Sequence, residues 1–146
     1  MSERICLFIG HVPEDERARN ALVKHLDALQ RSGRVHIWDG SRAAVGKDLD
    51  AEMDGSLSVA GVAVLLLSRD YLSSETCWDR EIPAILRRHR EEGLQLFPIL
   101  VGAYDYAGVP WLAGLQCFPR EGPPIAARSR AEQDLAWASV AAEVRA

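Results

Sequence analysis

The stretch that most constrains how this chain can fold is Val62 to Leu67 (VAVLLL), an unbroken apolar run that stops at Ser68. It is too short for a buried helix, and a strand that is apolar at every position must be covered on both faces, as a central strand of a parallel sheet is. After Ser68 come turn formers, then helix-cap candidates in Ser73 and Ser74, then Cys77, Trp78 and Glu81 within about one turn of one another. That spacing predicts an acid beside an aromatic surface. In open α/β sheets, ligands bind outside the carboxyl ends of the strands, where neighbouring connections diverge to opposite faces. Glu81 is predicted to lie near that crevice. Pro83 removes a backbone donor and disfavours α geometry at Ile82, which predicts a kink close to Glu81.

The rest of the chain supplies partners for this strand. Arg4 to Ile9 is β-prone and ends at Gly10, before the polar loop HVPEDE. From Glu14 to Ser32, Ala18, Leu22, Leu26 and Leu29 recur at helical spacing, and Gly33 follows as a stop. Arg34 to Trp38 alternates apolar and polar residues, as an edge strand does. The glycine-containing loop Asp39 to Gly46 leaves the carboxyl end of that strand and is predicted to be mobile and functional. Leu49, Met53 and Leu57, preceded by Asp48 and Asp50, predict a second helix. Leu94 to Val101 reads as a fourth strand with a bulge or weak pairing at Pro98. Leu115 to Phe118 (LQCF) is a short last strand. Ser129 followed by Glu132 forms a capping box that opens a terminal helix through Trp137, Val140 and Val144. Strands alternating with helices imply a doubly wound parallel sheet with helices on both faces.

The 146 residues, 48% hydrophobic and 26% charged, suit one globular domain. Residues 1–119 form its core, 120–128 a linker-like loop and 129–146 the closing helix. A net charge of −4 gives no positive field for nucleic acid or an anionic membrane, so neither is an expected partner. The apolar run Val59 to Leu67 is too short to span a bilayer and the first residues lack a secretory pattern, so a cytoplasmic location is expected. Cys6, Cys77 and Cys117 are odd in number and widely spaced, indicating reduced thiols rather than disulfides or zinc. No metal site is expected.

Phosphate-binding signatures are absent: there is no GxGxxG and no GxxxxGK[ST], and the first loop is acidic. A phospho-receiver domain needs an aspartate where this chain has Ser68. His11, His25, His36 and His89 show no ligand spacing and no nucleophile arranged for a triad. The run Arg87 to Arg90 (RRHR) is read as cations satisfying the carboxyl end of a helix dipole. Trp38 and Trp78 suit either packing or stacking on a base.

The segments LFIGHVPEDE, VHIWDGSRAAVGKDLDAEM, VAVLLLSRDYLSSETCWDREIPAIL and LFPILV together resemble a bacterial Toll/interleukin-1 receptor (TIR) domain over about Arg4 to Pro119. Most specific are Trp38-Asp39 with its glycine-containing loop, and the Ser-x-x-Tyr-Leu-x-Ser run leading to Cys77 and Glu81. The resemblance implies a flavodoxin-like parallel sheet of about five strands in the order 2-1-3-4-5. It also implies cleavage of NAD+ at the nicotinamide–ribose bond, by hydrolysis or cyclisation, in bacterial immune signalling or cell suicide. Glu81 would be catalytic, with Gly10, His11, Trp38, Arg42, Cys77 and Trp78 binding the substrate. NAD+ is then a substrate and no resident cofactor is implied. One carboxylate suffices because nicotinamide leaves as a neutral molecule, whereas a glycosidase normally needs an acid as well.

The family commonly carries a serine, an aromatic and a polar residue after the first strand, where this chain has Gly10, His11 and Val12. Many active members place tryptophan four residues before the glutamate; here that position is Cys77 and Trp78 follows it. The resemblance implies further that TIR domains assemble with one another, as homo-oligomers or filaments, and act attached to other domains. The loop Asp39, Gly40, Ser41, Arg42, Ala43, Ala44, Val45 and Gly46 would dock on the neighbouring copy. A non-catalytic interaction module built through the same contacts is the alternative.

Overall fold

The computed structural model describes residues 5–38 and 60–145. The predicted helix over Asp48 to Leu57 and the loop from Asp39 to Gly46 lie outside the described residues. Four strands, β1 (Ile5–Gly10), β2 (Val35–Trp38), β3 (Val62–Leu67) and β4 (Gln95–Leu100), form one parallel sheet in the order β2-β1-β3-β4. The apolar run Val62 to Leu67 is β3. It is an interior strand, and all six of its residues are buried. Its side chains alternate between two cores, Val62, Val64 and Leu66 on one face and Ala63, Leu65 and Leu67 on the other. Each fully buried aliphatic side chain stabilises the fold by about 1.5–3 kcal/mol, so the six buried residues of β3 anchor the sheet, whereas in edge strand β2 His36 is exposed between buried Val35 and Ile37.

Helices cover both faces, as the doubly wound pattern requires. On the first, α1 (Glu16–His25), α2 (Asp27–Arg31) and the terminal helix α5 (Arg130–Arg145) contribute Leu22, Leu26, Trp137, Val140 and Val144 to the core. On the second, α3 (Arg69–Ser73) and α4 (Ile82–Glu92) contribute Tyr71, Leu72, Ile82 and Ile85. The predicted single helix from Glu14 to Ser32 is divided. Pro13 opens a 3-10 turn, Pro13–Asp15, and the helix tightens at Leu26, whose N–H is shared between Leu22 O and Val23 O at 3.1 Å each. The bend keeps both Leu26 and Leu29 on the core. Gly33 stops the pair at φ +80°, a conformation that favours glycine.

Two expectations at the β4 edge are corrected. Pro98 makes no bulge: β4 pairs with β3 in unbroken register from Val62↔Gln95 to Leu67↔Leu100, because the missing proline N–H points away from β3. The predicted strand over Leu115 to Phe118 reduces to one bridge, with Phe118 N–H donating to Pro98 O at 2.9 Å and Leu100 N–H donating to Phe118 O at 2.7 Å. The rung before it would need the N–H that Pro98 lacks. The rung after it would need that of Gly102, which donates to Leu67 O at 3.2 Å instead. The segment 120–128 packs Ile125 into the core, and Ala126 N–H donates to Val101 O at 2.9 Å.

Candidate functional site

At the carboxyl ends of β1 and β3 the chain assembles a cluster of polar groups on a largely apolar floor. Gly10 ends β1 in register with Leu65 of β3. Ser68, 5% exposed, follows β3 and caps α3, its Oγ accepting from Tyr71 N–H at 3.2 Å. The same hydroxyl donates to Asp15 Oδ2, joining the turn after β1 to the end of β3. Of the two cap candidates read from sequence, Ser74 accepts from Cys77 N–H at 3.3 Å, while Ser73 Oγ turns back to Arg69 O at 2.7 Å.

The next turn is the unusual one. Cys77–Glu81 is π-helical, and Ile82 N–H reaches back five residues to Cys77 O. In an α-helix the ring of Pro83 would clash with the carbonyl four residues earlier, that of Asp79. Widening the turn by one residue moves that carbonyl away, and it is how the kink expected near Glu81 is realised.

Glu81 is 7% exposed. A lone helical glutamate is most often solvated, so its burial is informative. Tyr71, 0% exposed, donates its hydroxyl to Glu81 Oε1 at 2.8 Å. Cys77 Sγ lies 4.0 Å from Oε2. Gly10 closes the other side: a Cβ there would lie 2.1 Å from Glu81 Oε1 and 2.7 Å from Leu65 Cδ2. Burial pushes the Glu81 carboxyl up to about 7, against the opposing pull of the Tyr71 hydrogen bond. The carboxylate therefore changes charge near neutral pH in a site of low dielectric, where it interacts strongly with a developing positive charge. Burial, and then the charge of Glu81, push the Cys77 thiol up to about 11, so it stays neutral and is a weak donor rather than a nucleophile. Asp15 is also raised, chiefly by burial, with the Ser68 hydrogen bond lowering it.

Of the residues named from sequence, Gly10, Cys77 and Glu81 come together. Trp78 does not face the acid. It is 40% exposed, and its Nε1–H donates to Leu72 O, so the aromatic beside Glu81 is Tyr71. The displacement follows from the widened π-turn, in which Cys77, four residues before Glu81, stays on its face and Trp78, three before, is carried to the side. His11 is half-buried and near enough to Asp15 to favour its ionised form. Trp38 ends β2, but its side chain, like Arg42 and the whole Asp39 to Gly46 loop, lies outside what is described. The sequence reading missed Tyr71, Ser68 and Asp15 as parts of the site. Ser68 and Tyr71 stand in the quoted Ser-x-x-Tyr-Leu-x-Ser run, and their i, i+3 spacing was a usable sign of the cap. Asp15 became visible only with the fold.

Of the arginine run, His89 and Arg90 stand in the last turn of α4, where a cation meets the helix dipole, and Arg87 and Arg88 precede it. Arg88 Nη1 donates to Ala60 O at 2.6 Å, Arg87 lies 3.7 Å from Glu91, and His89 Nδ1 lies 2.7 Å from Leu94 O. Among the described residues no group of three or more His, Cys, Asp or Glu side chains could hold a metal ion. No described helix is long and apolar enough to cross a membrane.

A parallel sheet in flavodoxin-like order, with a buried acid on the π-turn that follows α3 at the carboxyl ends of β1 and β3, defines the doubly wound class of α/β domain. The particular family follows from comparison: a model described as TIR domain matches residues 7–135, and the chain belongs to that family. It is also similar to an uncharacterized protein, y4lF, of Sinorhizobium fredii (strain NBRC 101917 / NGR234), at 30% identity over 119 residues. That alignment covers 82% of this chain and 36% of the relative, so the chain spans about a third of the relative's length.

Proposed function

We propose that this TIR domain cleaves NAD+ at the nicotinamide–ribose bond, with Glu81 as the catalytic residue, in a bacterial immune or cell-suicide response. The observation that carries the reading is the environment of Glu81: a buried carboxyl, raised to about 7, at the carboxyl edge of the sheet, with glycine on one side and a tyrosine hydroxyl on the other. Breaking this bond leaves an oxocarbenium-like ribose, and nicotinamide departs neutral. The transition state therefore gains from one fixed negative charge and needs no proton donor. His11, on the loop after β1 next to Gly10 and close to Asp15, would contact the remainder of the dinucleotide.

Glu81→Gln keeps the side-chain volume and removes the charge. Nicotinamide release from NAD+ by the purified variant is expected to fall below detection while cooperative unfolding persists. Unchanged turnover would sink the enzyme reading and leave the interaction module. In the wild-type chain the ionised form is the active one, so the rate is expected to rise with pH through about 7. A rate that falls over that range contradicts the role given to Glu81.

TIR domains commonly self-associate. The proposal extends to a pocket completed by assembly, so specific activity should climb with protein concentration, since a sparsely populated competent state lowers apparent turnover by its fraction. Constant specific activity across about a hundredfold dilution, in a protein monomeric by light scattering, would rule out the assembly requirement.

A further inference from the structure

The buried polar groups around Glu81 form a connected chain, and one member, Tyr71, has no role in the family reading given above. Asp15 accepts from Ser68 Oγ, Ser68 Oγ accepts from the backbone N–H of Tyr71, and the Tyr71 hydroxyl donates to Glu81 Oε1. The chain runs from the turn after β1, across the end of β3, through α3, to the π-turn. Its geometry is fixed at both ends. Ser68 holds the first turn of α3, and the Tyr71 ring, 0% exposed, is locked in the core with Leu72 and Ile85. A carboxylate has two oxygens, and their surroundings here differ. Oε1 receives the 2.8 Å hydrogen bond and sits where a Cβ on Gly10 would collide with it. Among the described residues Oε2 has only a long thiol contact, 4.0 Å from Cys77 Sγ, a weak interaction that a ligand can displace.

We propose that Tyr71 is a positioning residue, committing Oε1 of Glu81 and stabilising the ionised carboxylate so that Oε2 is presented to the cationic ribose. The role assigned to Oε2 rests on the NAD+ cleavage reading; the coupling of Tyr71 to Glu81 does not. Among the described residues the titratable groups at Glu81 are Tyr71 from α3 and Cys77 from its own turn, while β1 and β3 bring Gly10 and Leu65. Cys77 stays neutral through the range in which Glu81 titrates, so Tyr71 is the principal donor able to favour the charged form. Burial raises the carboxyl, and the tyrosine hydrogen bond opposes it.

The test reads the carboxyl directly. Protein labelled with carbon-13 at the glutamate side-chain carboxyl is titrated by NMR, and the Glu81 resonance is assigned by its loss in Glu81→Gln. Tyr71→Phe removes only a hydroxyl and should raise the Glu81 midpoint by about one pH unit, a tenfold change in proton affinity. Site-specific 3-fluorotyrosine at position 71, a stronger donor that keeps the hydroxyl, should lower it. In activity, Tyr71→Phe should displace the pH profile of kcat upward by the same amount, with KM for NAD+ changed less than about threefold. A Glu81 midpoint unmoved in both variants overturns the proposal. Should Tyr71→Phe not fold, the fluorotyrosine titration decides alone, a lowered midpoint supporting the proposal and an unmoved one ending it. If the wild-type chain releases no nicotinamide, the NAD+ reading falls, and shifted midpoints still support the coupling of Tyr71 to Glu81.

Discussion

Gly10 shows how tightly the site is built at the level of single atoms. Its register partner Leu65 and the Glu81 carboxyl both lie within reach of the missing side chain, at 2.7 and 2.1 Å from an added Cβ. Neither neighbour is free to give way, since Leu65 is 0% exposed and Glu81 is held by Tyr71. Gly10→Ala is therefore expected to destabilise the chain by about 1–3 kcal/mol, the range for overpacking a filled site, and to move Glu81 off its tyrosine. The urea midpoint measures the first effect, and a further rise of the Glu81 midpoint, as the tyrosine hydrogen bond is lost, measures the second. A variant with wild-type stability would show that the contact relaxes at little cost. The sequence placed Cys77 beside Glu81 by their spacing and joined Gly10 to them only through a family resemblance. Nothing local to position 10 reveals that it faces a carboxylate seventy-one residues later, because that contact depends on the register of β1 on β3. Trp78 illustrates the converse. Proximity in sequence suggested an aromatic wall, and the widened π-turn placed the ring outside.

At the level of elements, proline positions explain what the sequence showed and what it concealed. Pro83 pointed to a distortion beside Glu81, yet the form it takes, a widened turn with Ile82 N–H bonded to Cys77 O, depends on how the carbonyls of the preceding turn are received. Restoring the N–H in Pro83→Ala permits a regular α turn, which would rotate Glu81 away from Tyr71 and out of its buried site, relieving the burial that raises it. The expected result is a folded protein with lowered NAD+ cleavage and a Glu81 titration returned toward the ordinary carboxylate range. Full activity in Pro83→Ala would mean that the turn, not the proline, sets the geometry. Pro98 concealed more: its outward-facing nitrogen removes the rung that a fifth strand needs, a fact available only once the side of β4 that it faces is known. The terminal helix was fully legible. Ser129 Oγ accepts from Glu132 N–H at 3.2 Å, the cap half of the predicted box, and the Glu132 carboxylate accepts from the Ser129 hydroxyl at 3.0 Å, where a full box would have it accept from the backbone N–H. Ser129→Ala should cost about 1 kcal/mol in chemical denaturation and leave the Glu81 titration unchanged. A variant as stable as the wild type would show that α5 is held by its packing, through Trp137 and Val140, without need of the cap.

For the molecule as a whole, the buried acid makes stability run against the usual direction of pH dependence. Native carboxyls usually hold their protons less tightly than unfolded ones, so acid destabilises. Here Glu81 rises from 4.5 to about 7, and Asp15 is raised as well. Between about pH 5 and 7 the native chain retains a proton on Glu81 that the unfolded chain has released, so these groups make stability fall as pH rises through that window. Acid also reduces self-repulsion in a chain of net charge −4, which acts in the same direction. Asp15 is only partly buried and solvent weakens its share, so the main contribution comes from Glu81. At one pKa unit to about 1.4 kcal/mol, keeping Glu81 ionised in its pocket at pH 8 costs on the order of 1–3 kcal/mol of folding free energy. Glu81→Gln removes that cost together with the charge. The variant expected to lose NAD+ cleavage is therefore expected to be the more stable protein at pH 8, with the two urea midpoints converging as the pH falls to 5, where wild-type Glu81 is already neutral. Equal midpoints at pH 8, or wild-type stability that climbs steadily from pH 5 to 8, would show that the carboxyl is better solvated than its burial implies. The charge needed for the reaction would then carry no cost in the fold.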